Sequence, residues 1–159
     1  LLAPQGYDLK DFIMPVDEDA RGSFAESIQT LEGVVFILDG HLETAKKLFQ
    51  SLLERTEHSL SETFCQLCLL QIALLEGDDE KAEEYASIRS VKSFLSLKMA
   101  DVQSIQAWYQ FKVRNDMAQT RKAMKIARQK MNSSRMLRDE KRYYENWLAE
   151  LEKALAEGV

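Results

Sequence analysis

One stretch decides the fold of this chain: residues 33–49, which read GVVFILDGHLETAKKLF. Apolar residues recur at every third or fourth position on both sides of Gly40, a spacing typical of amphipathic helices rather than strands. Glycine adopts the left-handed conformation that ends a helix without a steric penalty. The stretch therefore predicts two helices that form a hairpin at Gly40.

Two later breaks have the same character, at Gly77 and Asn115, which follow Gly40 by 37 and then a further 38 residues. An acidic residue beside such a break favours the start of the next helix, and Asp78 and Asp79 fill that role after Gly77. A last apolar pattern, residues 136–156, predicts a helix that caps the end of a stack. Apolar patterns with helical spacing flank each break: residues 24–38 and 42–53, 64–75 and 82–91, 102–111 and 117–131.

The residues around these breaks resemble the tetratricopeptide repeat (TPR) family. That motif has glycine or asparagine at the hairpin turn, alanine five residues later, an aromatic residue nine later, a small residue twelve later and a small residue seven before. The first repeat matches it with Gly40, Ala45, Phe49 and Gly33. Twelve residues after its turn the first repeat has Leu52. The second repeat matches with Gly77 and Ala82 but has Ala86 and Arg89 at the next two positions. The third matches with Asn115 and Ala127 but has Thr120, Met124 and Trp108 in place of the alanine, the aromatic residue and the earlier small residue.

The resemblance covers about residues 24–131, and the period exceeds the family's usual length of about 34 residues. It implies an all-α, TPR-like α-solenoid of about three helix hairpins, residues 23–133, within a single domain. Residues 1–22 would form an N-terminal segment that caps the first hairpin or covers its groove, and residues 134–159 a C-terminal capping helix. A plain helical bundle is the alternative fold.

In TPR proteins the first helix of each hairpin lines a concave face that binds partners. Because that face is mostly apolar here, a soluble monomer would not normally leave it exposed. We therefore expect a helix or extended peptide of another protein, a second copy, or the N-terminal segment to cover it. On this alignment the face consists of Thr30, Val34, Ile37, Phe64, Leu67, Gln71, Leu74, Val102, Ile105, Tyr109 and Lys112.

Basic residues are concentrated in one part of the chain. The net charge is −5, yet residues 112–142 hold eleven basic and three acidic side chains. Arg121, Lys125 and Arg128 share one helix face and form a candidate patch for an anionic partner, either an acidic protein or a phosphate backbone. A solvated outer face is the alternative interpretation. Nucleic acid is the weaker candidate, because no glycine-rich loop, zinc knuckle or RNP motif accompanies the patch.

No sequence motif supports catalysis. Phosphate-binding, dinucleotide-binding, zinc-protease and nucleophile-elbow motifs are absent, and two histidines leave few means of acid–base catalysis. Cys65 and Cys68 form a C-x-x-C inside an apolar helical pattern, where packed thiols are expected rather than a redox or zinc site. We therefore expect no enzymatic activity, no cofactor and no metal.

Together these patterns predict a non-catalytic scaffold or adaptor of the cytoplasm that binds another protein on the concave face. The alternative is a regulatory repeat module of a larger signalling or nucleic-acid-binding protein that uses residues 112–142. Self-association is a further option, because the acidic residues 1–63 could meet the basic region of a second copy. No membrane span or signal peptide is expected, and the first residue, Leu1, indicates a piece of a longer protein or a processed form.

Overall fold

The computed structural model describes residues 18–133 and 136–158, with side chains from Ala25 onward. The predicted all-α class is confirmed, since the described residues contain helices and turns but no strand. Residues 1–17 of the predicted N-terminal segment lie outside the described residues, and the role of this segment stays a prediction. The helices are α1 (Glu18–Leu38), α2 (Leu42–Arg55), α3 (Ser59–Glu76), α4 (Asp79–Ala86), α5 (Arg89–Phe94), α6 (Ala100–Lys112), α7 (Met117–Ser133) and α8 (Arg138–Ala156).

The breaks predicted at glycine are left-handed helix ends, as expected. Gly40 has φ 81° and Gly77 has φ 75°. After α1 the His41 N–H donates to the Phe36 carbonyl at 2.8 Å, and the Gly40 N–H donates to the Ile37 carbonyl at 3.0 Å. This pair of bonds satisfies carbonyls that the end of a helix would otherwise leave open. A side chain at Gly40 or Gly77 would be strained, which explains why glycine occupies both turns.

The third break has asparagine at the turn, and its closing hydrogen bond spans one residue more than the bond after α1. Asn115 has φ 53°, and the Asp116 N–H donates to the Gln110 carbonyl at 2.9 Å. Asp116 then caps α7, because its carboxylate accepts a bond from the Gln119 N–H at 3.0 Å. Asp78 caps α4 in the same way through the Lys81 N–H, at 3.1 Å. The capping role predicted for Asp78 is therefore confirmed.

The structure differs from the prediction at residues 82–91, which form two short helices rather than one. Residues five apart lie about 140° apart around a straight helix, so one helix could not bury both Ala86 and Val91 on a single face. Both are buried in the structure. The interruption falls at Ile88, whose backbone is extended with φ −64° and ψ 129°. Just before it, the Ser87 hydroxyl donates to the Glu83 carboxylate at 3.2 Å.

The chain divides into two compact units, residues 1–72 and residues 73–159. In the first unit α1 packs against α2 around Gly33 and Phe49. A Cβ added at Gly33 would lie 2.7 Å from Cε2 and 2.9 Å from Cε1 of the fully buried Phe49 ring. The small residue predicted opposite the aromatic one therefore lets the two helices approach closely.

In the second unit α6 packs against α7, and α8 packs against both. Trp108, which stands where the repeat motif has a small residue, contacts α8. Its indole N–H donates to the Trp147 carbonyl at 3.0 Å, and the two rings meet edge to face at 5.8 Å. The departure from the motif thus serves to attach α8 to the α6–α7 hairpin.

Candidate functional site

Most of the predicted concave face is covered by the chain itself. Seven of its eleven residues are buried, Thr30, Val34 and Phe64 are half-buried, and Lys112 is exposed. First-helix positions of this kind are therefore largely covered. The buried residues are Ile37, Leu67, Gln71, Leu74, Val102, Ile105 and Tyr109.

Tyr109 shows how such a position is used internally. Its hydroxyl donates to the Glu83 carboxylate at 2.8 Å, which links α6 to α4, and Arg114 lies 3.6 Å from the other carboxylate oxygen. Burial and the hydrogen bond to Glu83 raise the pKa of Tyr109 to about 12. This residue therefore stabilises the second unit rather than awaiting a ligand.

Two residues of the predicted face, Leu74 and Lys112, do reach an open cavity in the second unit. This cavity, the aromatic groove, has a volume of about 550 Å³ and lies between the end of α3, α6 and α8. Its volume falls in the range of about 300–1,000 Å³ that is common for binding pockets. The aromatic groove is lined by Leu74, Leu75, Glu76, Gly77, Trp108, Lys112, Tyr143, Asn146, Trp147 and Glu150.

The aromatic side chains of the groove hold one another in place. The Trp108 and Trp147 rings meet edge to face, and the Tyr143 and Trp147 ring centroids lie 5.7 Å apart. Trp147 is only 7% exposed, and its indole N–H has no acceptor among the described residues. Leu75 beside them is 39% exposed. The groove therefore presents a pre-formed apolar wall.

Charged residues surround this wall without forming a catalytic arrangement. Glu76, Lys112 and Glu150 are exposed at its rim, and Asn146 adds an amide. No histidine, cysteine, serine or threonine lines the groove among the residues that the structure describes. The arrangement suits an apolar side chain flanked by polar or charged ones.

A second cavity contains the predicted basic patch. Arg121, Lys125 and Arg128 lie on one wall of a groove of about 550 Å³ between α7 and α8, called here the basic groove. The Arg128 guanidinium forms an ion pair with Glu152 at 2.7 Å. The sequence indicated the basic wall by its helical spacing, but it gave no signal for the opposite wall, which α8 supplies. The other lining residues are Met124, Gln129, Asn132, Glu152, Leu155 and Ala156.

A third cavity brings two carboxyl groups together that the sequence separates. Asp101 and Glu140 both line it, with Lys98 and Lys130 also in its wall. Burial raises the pKa of Asp101, and burial followed by the negative charge of Asp101 raises the pKa of Glu140. The negative charge of Asp101 therefore disfavours ionisation of Glu140.

The cysteine pair lies in the core. Cys65 and Cys68 are both buried and form no disulfide, and burial raises the pKa of Cys65 to about 11. A thiol of that kind is a poor nucleophile at neutral pH. Within the described ranges no cluster of three or more potential metal ligands occurs.

A scan against protein-family models and searches of curated proteins and of solved structures found no match to this chain. The TPR resemblance therefore rests on the residues around the three breaks alone. In the part of the chain that the structure describes, no helix combines the length and apolar character needed to cross a bilayer.

Proposed function

We propose that this chain is a non-catalytic scaffold or adaptor, built as a TPR-like array, that holds a segment of a partner protein in the aromatic groove. The observation that carries the proposal is the open wall formed by Leu75, Trp108, Tyr143 and Trp147. Tryptophan and tyrosine are the residues most enriched at the energetic centres of protein interfaces, where they bury large areas at low entropic cost. A cytoplasmic setting belongs to the same proposal.

The groove specifies the chemistry of its occupant. Its apolar wall suits one or two aliphatic or aromatic side chains of a helix or an extended peptide. Its rim carries two carboxylates, Glu76 and Glu150, against the single ammonium of Lys112. A partner segment with a basic residue next to its apolar anchor therefore complements the groove better than an acidic one.

Selection of peptides from a random library against the folded protein tests the proposal. The chain has two tryptophans, Trp108 and Trp147, and both line the groove, so intrinsic fluorescence reports its occupancy directly. Selected peptides should share an apolar anchor with a neighbouring basic residue, and they should change the fluorescence with saturation.

Leu75→Glu is the test variant, because it places a charge in the groove wall while the side chain stays partly exposed. Leu97→Glu is its matched control: Leu97 is 43% exposed against 39% for Leu75, in the same unit, and does not line the groove. Burial of a leucine side chain contributes about 1.5–3 kcal/mol, and about 1.4 kcal/mol corresponds to a tenfold change in affinity. Leu75→Glu should therefore weaken peptide binding by tenfold or more.

Equal binding by both variants, or binding without a fluorescence change, would place the partner site elsewhere. A fluorescence change that grows with protein concentration in the absence of peptide would make a second copy the occupant.

A further inference from the structure

We propose that the basic groove is a second docking surface, which takes an acidic amphipathic segment of a protein. Helix α7 carries the basic wall: its sequence, MAQTRKAMKIARQKMNS, contains five basic residues and no acidic one. Met124, Ala127 and Met131 of the same helix are buried, and its basic residues are exposed. The helix is therefore amphipathic, with its charge directed outward beside α8.

Only one of the three basic side chains that line this groove forms an ion pair within the described residues. Arg128 is paired with Glu152 at 2.7 Å, whereas neither Arg121 nor Lys125 forms an ion pair with any residue that the structure describes. These two residues are four positions apart, so their side chains lie one helical turn from each other on the same wall. Two carboxylates one turn apart on an incoming helix would complement them.

The other wall and the floor distinguish an acidic protein from a nucleic acid. Met124 and Leu155 supply apolar surface, which a phosphate backbone cannot use but an aliphatic side chain can. Among the described residues, no aromatic side chain lines the groove for base stacking. The surface therefore fits a segment with carboxylates along one edge and a leucine-like side chain beside them.

The test measures fluorescence anisotropy of three labelled probes with the whole chain. The first probe is a helix-forming peptide with leucines at helical spacing and glutamates on the flanking positions. The second is the same composition with the order scrambled, which keeps the charge and destroys the apolar stripe. The third is a short DNA duplex. The first peptide should bind with saturation, less tightly as salt is raised, and more tightly than the other two probes.

Two double variants with the same charge change make the test specific. Arg121→Gln with Lys125→Gln removes the uncompensated cations of the groove, and should weaken peptide binding about tenfold. Lys122→Gln with Lys130→Gln removes two exposed cations of α7 that do not line it, and should change binding by less than about twofold. Glutamine keeps the helix propensity close to that of the residues it replaces.

Four results would overturn the inference: no saturable peptide binding, equal binding of the scrambled peptide, tighter binding of the duplex, or equal losses in the two double variants. Leu75→Glu should leave binding of the acidic peptide unchanged, because Leu75 lies in the aromatic groove. Failure of one docking surface is thereby separated from failure of the other.

Discussion

Replacing Gly33 with alanine probes the contact that joins α1 to α2. The added Cβ would lie 2.7 Å from Cε2 and 2.9 Å from Cε1 of Phe49, whereas carbon atoms in contact are normally about 3.5–4.0 Å apart. The ring would have to move by roughly 1 Å, and Phe49 is 0% exposed. Its neighbours therefore resist that movement.

The two opposing effects of Gly33→Ala can be compared. Overpacking a core typically costs about 1–3 kcal/mol, and exchanging glycine for alanine inside a helix contributes about 1 kcal/mol of stability. We expect a net loss of about 1 kcal/mol in the free energy of unfolding. Urea unfolding followed by far-UV circular dichroism should show a midpoint lower by roughly 0.5 M.

Phe49→Leu supplies the control, because a shorter side chain leaves room for the new methyl group. Gly33→Ala should therefore cost less in the Phe49→Leu background, with a coupling of about 1 kcal/mol in a double-mutant cycle. A Gly33→Ala protein more stable than wild type, or identical effects of Gly33→Ala in both backgrounds, would refute the close approach of the two helices.

Two further perturbations concern the second unit. Trp108→Phe keeps an aromatic ring but removes the pyrrole part of the indole and the N–H that donates to the Trp147 carbonyl at 3.0 Å. Urea unfolding should show a loss of at least about 1 kcal/mol, and an unchanged stability would contradict this link between α6 and α8. Glu140→Gln should stabilise the protein at neutral pH more than its control, Asp139→Asn. Both variants remove a charge from the first turn of α8, but only Glu140 lines the cavity with Asp101. The folded pKa values of Asp101 and Glu140 are raised above their unfolded values, so ionisation of this pair costs stability as pH rises, and that cost disappears as pH falls through the raised pKa values. The difference between the two variants should therefore shrink in acid, and a difference that grows on acidification would contradict the repulsion.

Local features of this fold could be predicted because short segments determine them. The turns at Gly40, Gly77 and Asn115 follow from which residues tolerate positive φ, and the cap at Asp78 from its place beside such a turn. The interruption at Ile88 could not be predicted, because it depends on which residues the core of the second unit buries. Tertiary packing decides that, and the spacing of apolar residues alone does not.

For the same reason, only part of each candidate site could be predicted from the sequence. The spacing of Arg121, Lys125 and Arg128 predicts a shared face, and they do line one groove. The aromatic groove depends on Trp108 meeting Trp147, two residues far apart in the chain whose contact no local pattern indicates. Seven of the eleven positions that the resemblance assigns to a concave face are buried, because an apolar helix face looks the same in sequence whether a partner or the chain itself covers it.

The most direct test of the central claim is heteronuclear NMR of the indole N–H signals during titration with a selected peptide. The chain has two tryptophans, Trp108 and Trp147, and both line the aromatic groove, so two resolved signals report on that site alone. We expect both signals to shift with one common dissociation constant, and this constant to be at least about tenfold larger in Leu75→Glu. Backbone shifts in the wild-type protein with both indole signals unchanged would contradict the claim that this groove is where the chain binds its partner.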